Sequence, residues 1–284
     1  MKLTAYFFKI LFWFKPFRKY YFGLYKKLFK PFNLFRGVKA VARYDKHFRI
    51  EINVDDWIQQ QIFFFGIYDA PGINFIKKTL KPDDVFIDIG ANIGIYSLSA
   101  SGILQKERGG MVVAFEPVTP VFERLTENIK MNQADNIVPY RMAIFEKNTT
   151  LELFVSNREN LGMSSMFHHD MESGVTEKVK AVRLDDFMEQ NRVQKVSLIK
   201  IDIEGAELHA LRGMTKTIQQ FRPVLMIEIS ENVLEGKDSS GREIAGFMNK
   251  LGYAPYTIGP SGDILPCREL TGRRETNYVF IFTE

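Results

Sequence analysis

A single cysteine, Cys267, stands in this chain of 284 residues. That excludes an internal disulfide and suits a reducing compartment. There is no Cys/His cluster with zinc-site spacing, no internal repeat and no low-complexity segment. Near the N-terminus the longest uncharged stretches, Leu3–Phe8 and Ile10–Phe14, are split by Lys9. Both fall far short of the roughly 20 residues that span a bilayer. No small-residue cleavage site follows Phe14; Lys15-Pro16-Phe17-Arg18 stands there instead, which speaks against a secretory signal. The fullest absence is of acid: residues 1–44 contain no Asp or Glu.

What those 44 residues do contain is eleven Lys or Arg and 15 of the 38 aromatic residues. The chain's net charge of +4 therefore hides a basic, aromatic arm on an acidic body whose own net charge is −7. We divide the chain at that point, into an extension over 1–44 and a domain over 45–284. Pro16 and Pro31 suit two or three short helical pieces. Three readings fit the arm. Interleaved rings and cations suit an anionic membrane surface, with rings at headgroup depth and each cation contributing about 1 kcal/mol. The same residues suit a helical layer packing its rings on the domain, or a nucleic-acid arm. The first is the preferred reading.

With 45% hydrophobic residues, the body can bury a sizeable core. Its most informative stretch is 84–98, where the apolar run of Asp84-Val85-Phe86-Ile87-Asp88 turns through Gly90 to Gly94 and continues at helical spacing. That is a buried parallel strand feeding a glycine turn and a helix, the place where open α/β sheets bind nucleotides. In a dinucleotide fingerprint, G-x-G-x-x-G, the middle Gly lets backbone approach a pyrophosphate. Asn92 occupies that position, so the turn suits an adenosine ligand without phosphates: S-adenosylmethionine. A second apolar run, Met111–Phe115, ends in Glu116. An acid there accepts from ribose hydroxyls and repels a 2′-phosphate. The plain alternative for Glu116 alone is a surface acid after a buried strand.

Strand and helix signals alternate along the rest of the body. Strands are expected at 84–89, 111–116, 137–142, 196–202 and 223–229, with 252–258 and 278–282 as a terminal hairpin. Thr150–Val155 and Lys178–Arg183 read as an added antiparallel pair around a polar loop. Helices are expected at about 92–105, 118–132, 205–219 and 241–251, and 55–78 reads as a mixed helical entry. The fold class is α/β, a doubly wound, mostly parallel seven-stranded sheet behind a basic aromatic helical extension.

Leu198-Ile199-Lys200-Ile201-Asp202-Ile203-Glu204-Gly205-Ala206-Glu207 carries a second motif. A charge inside a central strand is costly unless paired. Alternation puts Lys200 and Asp202 on one face, within reach of each other or of Glu228; Lys200 reads best as a structural counter-ion. Asp202, Glu204 and Glu207 cluster where such sheets bind ligands, although Glu204 and Glu207 also suit the first turn of a helix.

These pieces together, Asp88-Ile89-Gly90-Ala91-Asn92-Ile93-Gly94, Glu116-Pro117, Gly162-Met163-Ser164-Ser165 and Lys200 to Glu207, resemble the FkbM family of class I adenosylmethionine-dependent methyltransferases. Asn128, Asn132, Ala143, Leu184-Asp185 and Pro223 to Glu228 also fall where that family has similar residues. The resemblance covers roughly 62–283; Asp69 departs from it, where the family often has Glu. It implies that Asp88, Gly90, Asn92 and Gly94 hold the methionine end, the turn's amides meeting its carboxylate. Glu116 would take the ribose hydroxyls, and the chain near Ala143 would border the adenine. It also implies methylation of a hydroxyl oxygen on a sugar or a complex natural product. The base would be Asp202, Glu204 or Glu207, with His168, His169 and Asp170 of the long loop as further candidates. No metal is required, although Asp202 and its neighbours are hard oxygen ligands.

Three rival functions have sequence tests. A NAD-dependent oxidoreductase would place Gly where Asn92 stands. An amino-directed nucleic-acid methyltransferase would show an Asn/Asp-Pro-Pro-aromatic run where Asp202-Ile203-Glu204-Gly205 lies; the Pro266-Cys267 dipeptide lies too far along the chain to be a cytosine-C5 nucleophile. A non-enzymatic adaptor would not need Asp88, Gly90, Gly94 and Glu116 intact. The expectation is a cytoplasmic O-methyltransferase, peripheral at the inner membrane face, acting on a sugar, glycan or glycolipid hydroxyl, with nucleic acid an unlikely partner.

Overall fold

Alternating buried and outward residues form a hairpin that begins inside the basic segment. Lys39–Tyr44 (β1) pairs antiparallel with Phe48–Asn53 (β2), with Ala40, Ala42 and Tyr44 inward against Ile50 and Ile52. The computed structural model describes residues 1–154, 176–229, 241–267, 270 and 276–283. They form two compact units, one over Met1–Asp69 and one from Ala70 onward.

In the first unit, Lys2–Trp13 (α1), Lys15–Arg18 (α2) and Tyr21–Leu24 (α3) lead through a π-helical turn at Tyr25–Phe29 to the hairpin. Trp57–Phe65 (α4) follows, capped by the Asp56 carboxylate, which accepts from Gln59 N at 2.9 Å, and closed by left-handed Gly66. The core is a cluster of rings. Phe12 is fully buried among Phe8, Tyr21, Phe29, Phe64 and Phe65, with centroids 5.1 to 6.4 Å apart. A buried polar link runs from the Tyr21 hydroxyl to Gln60 Oε1 at 2.9 Å, and from Gln60 Nε2 to the Val54 carbonyl at 2.8 Å. The strand β1 was not legible as part of this unit: its outward residues Lys39 and Arg43 continue the basic composition of the arm.

The second unit begins with Ala70–Thr79 (α5) and is built on one sheet. Five parallel strands, Val85–Ile89 (β3), Met111–Phe115 (β4), Ile137–Tyr140 (β5), Leu198–Ile201 (β9) and Val224–Ile229 (β10), lie in the order β5-β4-β3-β9-β10. Ala143–Ile144 (β6), Thr149–Phe154 (β7) and Thr176–Val182 (β8) form a separate small sheet, with β7 and β8 antiparallel as expected. Beyond β10 come Thr276–Phe282 (β13), Tyr253–Ile258 (β11) and Ile264–Pro266 (β12), each antiparallel to its neighbour. The sheet therefore has eight strands, where seven were expected; β12 is a three-residue edge strand too short to leave a periodic signal. The expected strand 137–142 ends early, β5 stopping at Tyr140.

Helices Ile95–Ser101 (α6), Thr119–Met131 (α7), Leu184–Gln190 (α8), Glu207–Arg212 (α9), Thr215–Phe221 (α10) and Gly241–Lys250 (α11) complete this unit. The expected helix 205–219 is split at Gly213, where a Cβ would lie 2.0 Å from the Phe145 carbonyl oxygen. The Asp185 carboxylate then receives Thr217 N and Oγ1, each at 2.8 Å, and Lys216 N at 3.2 Å, starting α10 afresh. Among the described residues no helix is long and apolar enough to cross a membrane.

The strand order reverses at β3, with β4 on one side and β9 on the other. Such a switch point opens a crevice at the carboxyl ends of the strands. Those ends carry Asp88, Glu116 and Asp202.

Candidate active site

Strand β3 is buried along its whole length, and the chain leaves it through a turn with three left-handed residues: Gly90 (φ 80°), Asn92 (φ 51°) and Gly94 (φ 94°). Asn is among the few non-glycine residues at ease there, so the glycine-like backbone is kept while a side chain is added. At Gly90 a Cβ would sit 1.9 Å from the Asp202 carbonyl oxygen, and at Gly94 one would sit 2.8 Å from Leu125 Cδ1. The two glycines thus let the turn close on β9 and on α7.

The turn is held from three sides. Gly90 N and Ala91 N both donate to the Phe115 carbonyl at 2.9 Å, and Gly94 N donates to Ala91 O at 2.9 Å. Asn92 N donates to Glu116 Oε2 at 3.0 Å, and Ile93 N to Asn92 Oδ1 at 2.7 Å. The buried Asn128 of α7 donates to the Ile93 carbonyl at 2.9 Å. All five amides from 90 to 94 donate within the protein.

Glu116 is buried, and its other oxygen accepts from Val118 N at 3.0 Å. Burial pushes its carboxyl up to about 7 against the pull of these two amides. Each oxygen has taken one hydrogen, and an ionised carboxylate offers about four acceptor positions. Asp88 is fully buried: Oδ2 accepts from the Ser97 hydroxyl at 2.6 Å, while Oδ1 has no hydrogen-bond partner among the described residues. Burial raises the Asp88 carboxyl, and the Lys200 charge works against that rise. Spare acceptor positions on Glu116 and an orphaned one on Asp88 match the ribose diol and the ammonium of S-adenosylmethionine, so the residues present fit that cofactor.

Across the switch point, Lys200 is 2% exposed in the middle of β9, beside Asp88 of β3 in register. Its Nζ lies 2.7 Å from Asp202 Oδ2 and 4.5 Å from the centre of the Tyr96 ring. Burial would discharge this lysine, but Asp202, Asp88 and Glu228 together hold it protonated, above its ordinary value. Burial would likewise raise Asp202, yet Lys200 and a hydrogen bond from Glu228 bring it below the usual carboxylate range. Glu228, desolvated and facing Asp202, is raised well above that range and keeps the proton it donates. Lys200 is therefore the counter-ion of an acidic cluster. Asp202, with a side chain 30% exposed, is its ionised outlet toward solvent.

The other sequence candidates take different places. Glu204 is half-buried at a left-handed position, φ 54°, and its charge helps to raise Glu228. The Glu207 carboxylate is 3% exposed and turned back on its own loop, Oε1 accepting from Gly205 N at 3.0 Å and Ile203 N at 3.3 Å. Burial pushes it up to about 7. Ala143 opens β6, three residues beyond Tyr140, whose carbonyl accepts from Glu116 N at 3.1 Å. Cys267 follows the edge strand β12, away from the carboxyl ends of the parallel strands. Gly162, Met163, Ser164, Ser165, His168, His169 and Asp170 lie outside the described residues. Among the described residues no group of three His, Cys, Asp or Glu side chains could hold a metal ion. Tyr96 and Ser97 were missed as site residues, although their place just after the glycine turn was the signal.

The model of the methyltransferase FkbM domain matches residues 88–255, more than half of the chain. The chain is 28% identical over 161 residues to hexuronic acid methyltransferase AglP of Haloferax volcanii, across 57% of this chain and 62% of that protein. It is 25% identical over 203 residues to 2-O-methyltransferase NoeI of Sinorhizobium fredii, across 65% of this chain and 79% of the other. A crystal structure of methyltransferase FkbM from Methylobacillus flagellatus superposes with a TM-score of 0.46 and 17% identity, over 72% of this chain and 44% of that one. The chain thus spans less than two thirds of the haloarchaeal relative's length. A glycine turn, a buried acid after the next strand and a switch point in a mostly parallel sheet define the Rossmann-like α/β class. Within that class, the chain belongs to the methyltransferase FkbM family, whose cofactor is S-adenosylmethionine.

Proposed function

We propose that this protein transfers a methyl group from S-adenosylmethionine to a hydroxyl oxygen of a sugar, glycan or glycolipid. The observation behind the reading is the meeting of Asp88, Glu116 and Asp202 at the carboxyl ends of three adjacent strands. The names of two relatives, one for hexuronic acid methylation and one for 2-O-methylation, support the acceptor class.

When bound, the cofactor supplies an electrophilic methyl on a sulfonium sulfur. Glu116 would accept the two ribose hydroxyls and Asp88 Oδ1 the ammonium, fixing the sulfonium within the crevice. Gly90 and Gly94 keep the turn closed on its neighbours, so the ligand meets a pre-formed wall. Asp202, ionised and open to solvent, would take the acceptor hydroxyl's hydrogen and align its oxygen. As the base, Asp202 would take the hydroxyl proton when that oxygen receives the methyl group, and would release it to water. Lys200 and Glu228 would position that carboxylate and set its charge. Glu207 would shape the loop from its buried side, and Glu204 would flank the mouth.

Isothermal titration with S-adenosylmethionine, with NAD in parallel, tests the cofactor half. Micromolar binding of the first, none of the second and about 10-fold or greater weakening in Glu116→Ala is expected, since one charge-assisted hydrogen bond is worth about 1.5–3 kcal/mol. Equal affinity in the variant would overturn the Glu116 assignment. The acceptor half is tested by methyl transfer to hexuronic acids and oligosaccharides, with RNA in parallel. Transfer to RNA alone would replace the proposed acceptor.

A further inference from the structure

Helix α1 is apolar on both faces, and only one of them is covered. Ala5 and Phe12 are buried in the core of the first unit, and Phe8 points the same way. On the opposite side Leu3, Tyr6, Phe7, Ile10 and Trp13 lie within about a third of the helix circumference. They are 88%, 41%, 62%, 65% and 72% exposed. A one-sided amphipathic helix would have put charge there, and single domains rarely expose so continuous an apolar strip. Phe14, whose ring meets that of Trp13, and Phe17, Tyr20, Phe22 and Phe32 of the same segment are exposed as well. The same segment carries exposed Lys2, Lys15, Arg18, Lys19, Lys26 and Lys27, with no acid before Asp45.

We infer that this face docks on an anionic lipid surface, α1 lying in the plane of the membrane with its outer side chains in the acyl boundary. At 12 residues the helix is about 18 Å long, against a hydrocarbon core of about 30 Å, so it lies on the bilayer and does not cross it. Rings at headgroup depth and lysines toward phosphate are the composition of an interfacial segment. Charge selects the occupant. A second copy of the face would bring two sets of cations together with no acid among them, whereas anionic headgroups neutralise them. The inference stands on the first unit's surface and is independent of the methyl-transfer reading.

The full chain is sedimented with vesicles of phosphatidylcholine mixed with phosphatidylglycerol, and with phosphatidylcholine alone, while Trp13 emission is followed. Binding to the mixed vesicles, a blue shift lost in Trp13→Phe, and weakening by added salt are expected. Lys15→Glu/Lys19→Glu should weaken partitioning by at least roughly fivefold per cation. Leu3→Ser/Phe7→Ser/Ile10→Ser should abolish the binding, and because these side chains are exposed the variant keeps its thermal transition. No binding by folded protein, equal binding to phosphatidylcholine alone, or binding unchanged in the folded triple variant would overturn the inference. So would a dimer without vesicles that the triple variant dissolves, which would assign the face to a second copy.

Discussion

The two units hide their apolar surface in different materials. The N-terminal unit packs rings, with Phe12, Tyr21, Phe29, Phe35 and Phe64 in mutual contact. The sheet unit packs aliphatic strands, Val85, Ile87, Ile199, Ile201, Leu225 and Ile227 among them. Their buried polar groups differ more. Asp56, Gln59 and Gln60 of the first unit are neutral or act as a cap, whereas the sheet unit buries Asp88, Lys200, Glu116 and Glu207. Buried charge is costly, and in the sheet unit it gathers at the strand ends beside the switch point. A unit with chemistry to perform keeps ionisable groups inside. The other buries the capping Asp56 and carries exposed cations as well as rings it leaves uncovered.

The largest effects should separate the two kinds of core. Phe12→Ala removes a fully buried ring and should cost about 3–5 kcal/mol. Lys200→Met strips the counter-ion from Asp88 and Asp202 and should cost a similar 3–5 kcal/mol. Denaturant titration at several pH values distinguishes them. The Lys200→Met loss should shrink in acid, as the stranded carboxylates take up protons, while the Phe12→Ala loss stays constant. Parallel pH profiles would break the comparison.

A smaller effect is the pH dependence of the unmodified protein. Glu116 and Glu207 are raised from 4.5 to about 7, so the folded state holds more protons than the unfolded one between those values. Their contribution is fully present below about 4.5 and is lost as pH rises through about 7, on the order of 3 kcal/mol for each. Asp56, raised from 3.8 to about 6, acts in the same direction over a lower window. Glu116→Gln/Glu207→Gln should flatten the upper part of the stability profile and Asp56→Asn the lower part. An unchanged slope in the double variant would contradict the burial of those two acids. Tyr21→Phe should have the smallest effect, about 1 kcal/mol, by losing the hydrogen bond to Gln60.

Much of the site was legible because its signals are local. Asp88, Gly90, Asn92, Gly94 and Glu116 stand at spacings that a strand, a turn and a second strand impose, and Lys200 and Asp202 two residues apart share a strand face. What escaped depended on distant neighbours. Gly213 interrupts a helical pattern because the Phe145 backbone passes against it. Helix α8 was not expected from the pattern near 184; its Asp185 serves residues 216 and 217. Glu207 stands in the first turn of α9, one of the two places its spacing suited, but that its loop folds it inward onto two amides was not legible.

By itself the sequence determined the class of sheet, the cofactor turn and the separation of a basic aromatic segment from an acidic body. Each is written in periodicity and composition over a few neighbouring residues. Only the tertiary structure decided which acid faces solvent and which is consumed by backbone, because strands far apart in sequence bring Lys200, Asp88, Asp202 and Glu228 together. It also decided which rings of the arm are core and which are surface. Phe12 and Trp13 are adjacent and both aromatic, and only the helix's placement in its unit buries one and exposes the other.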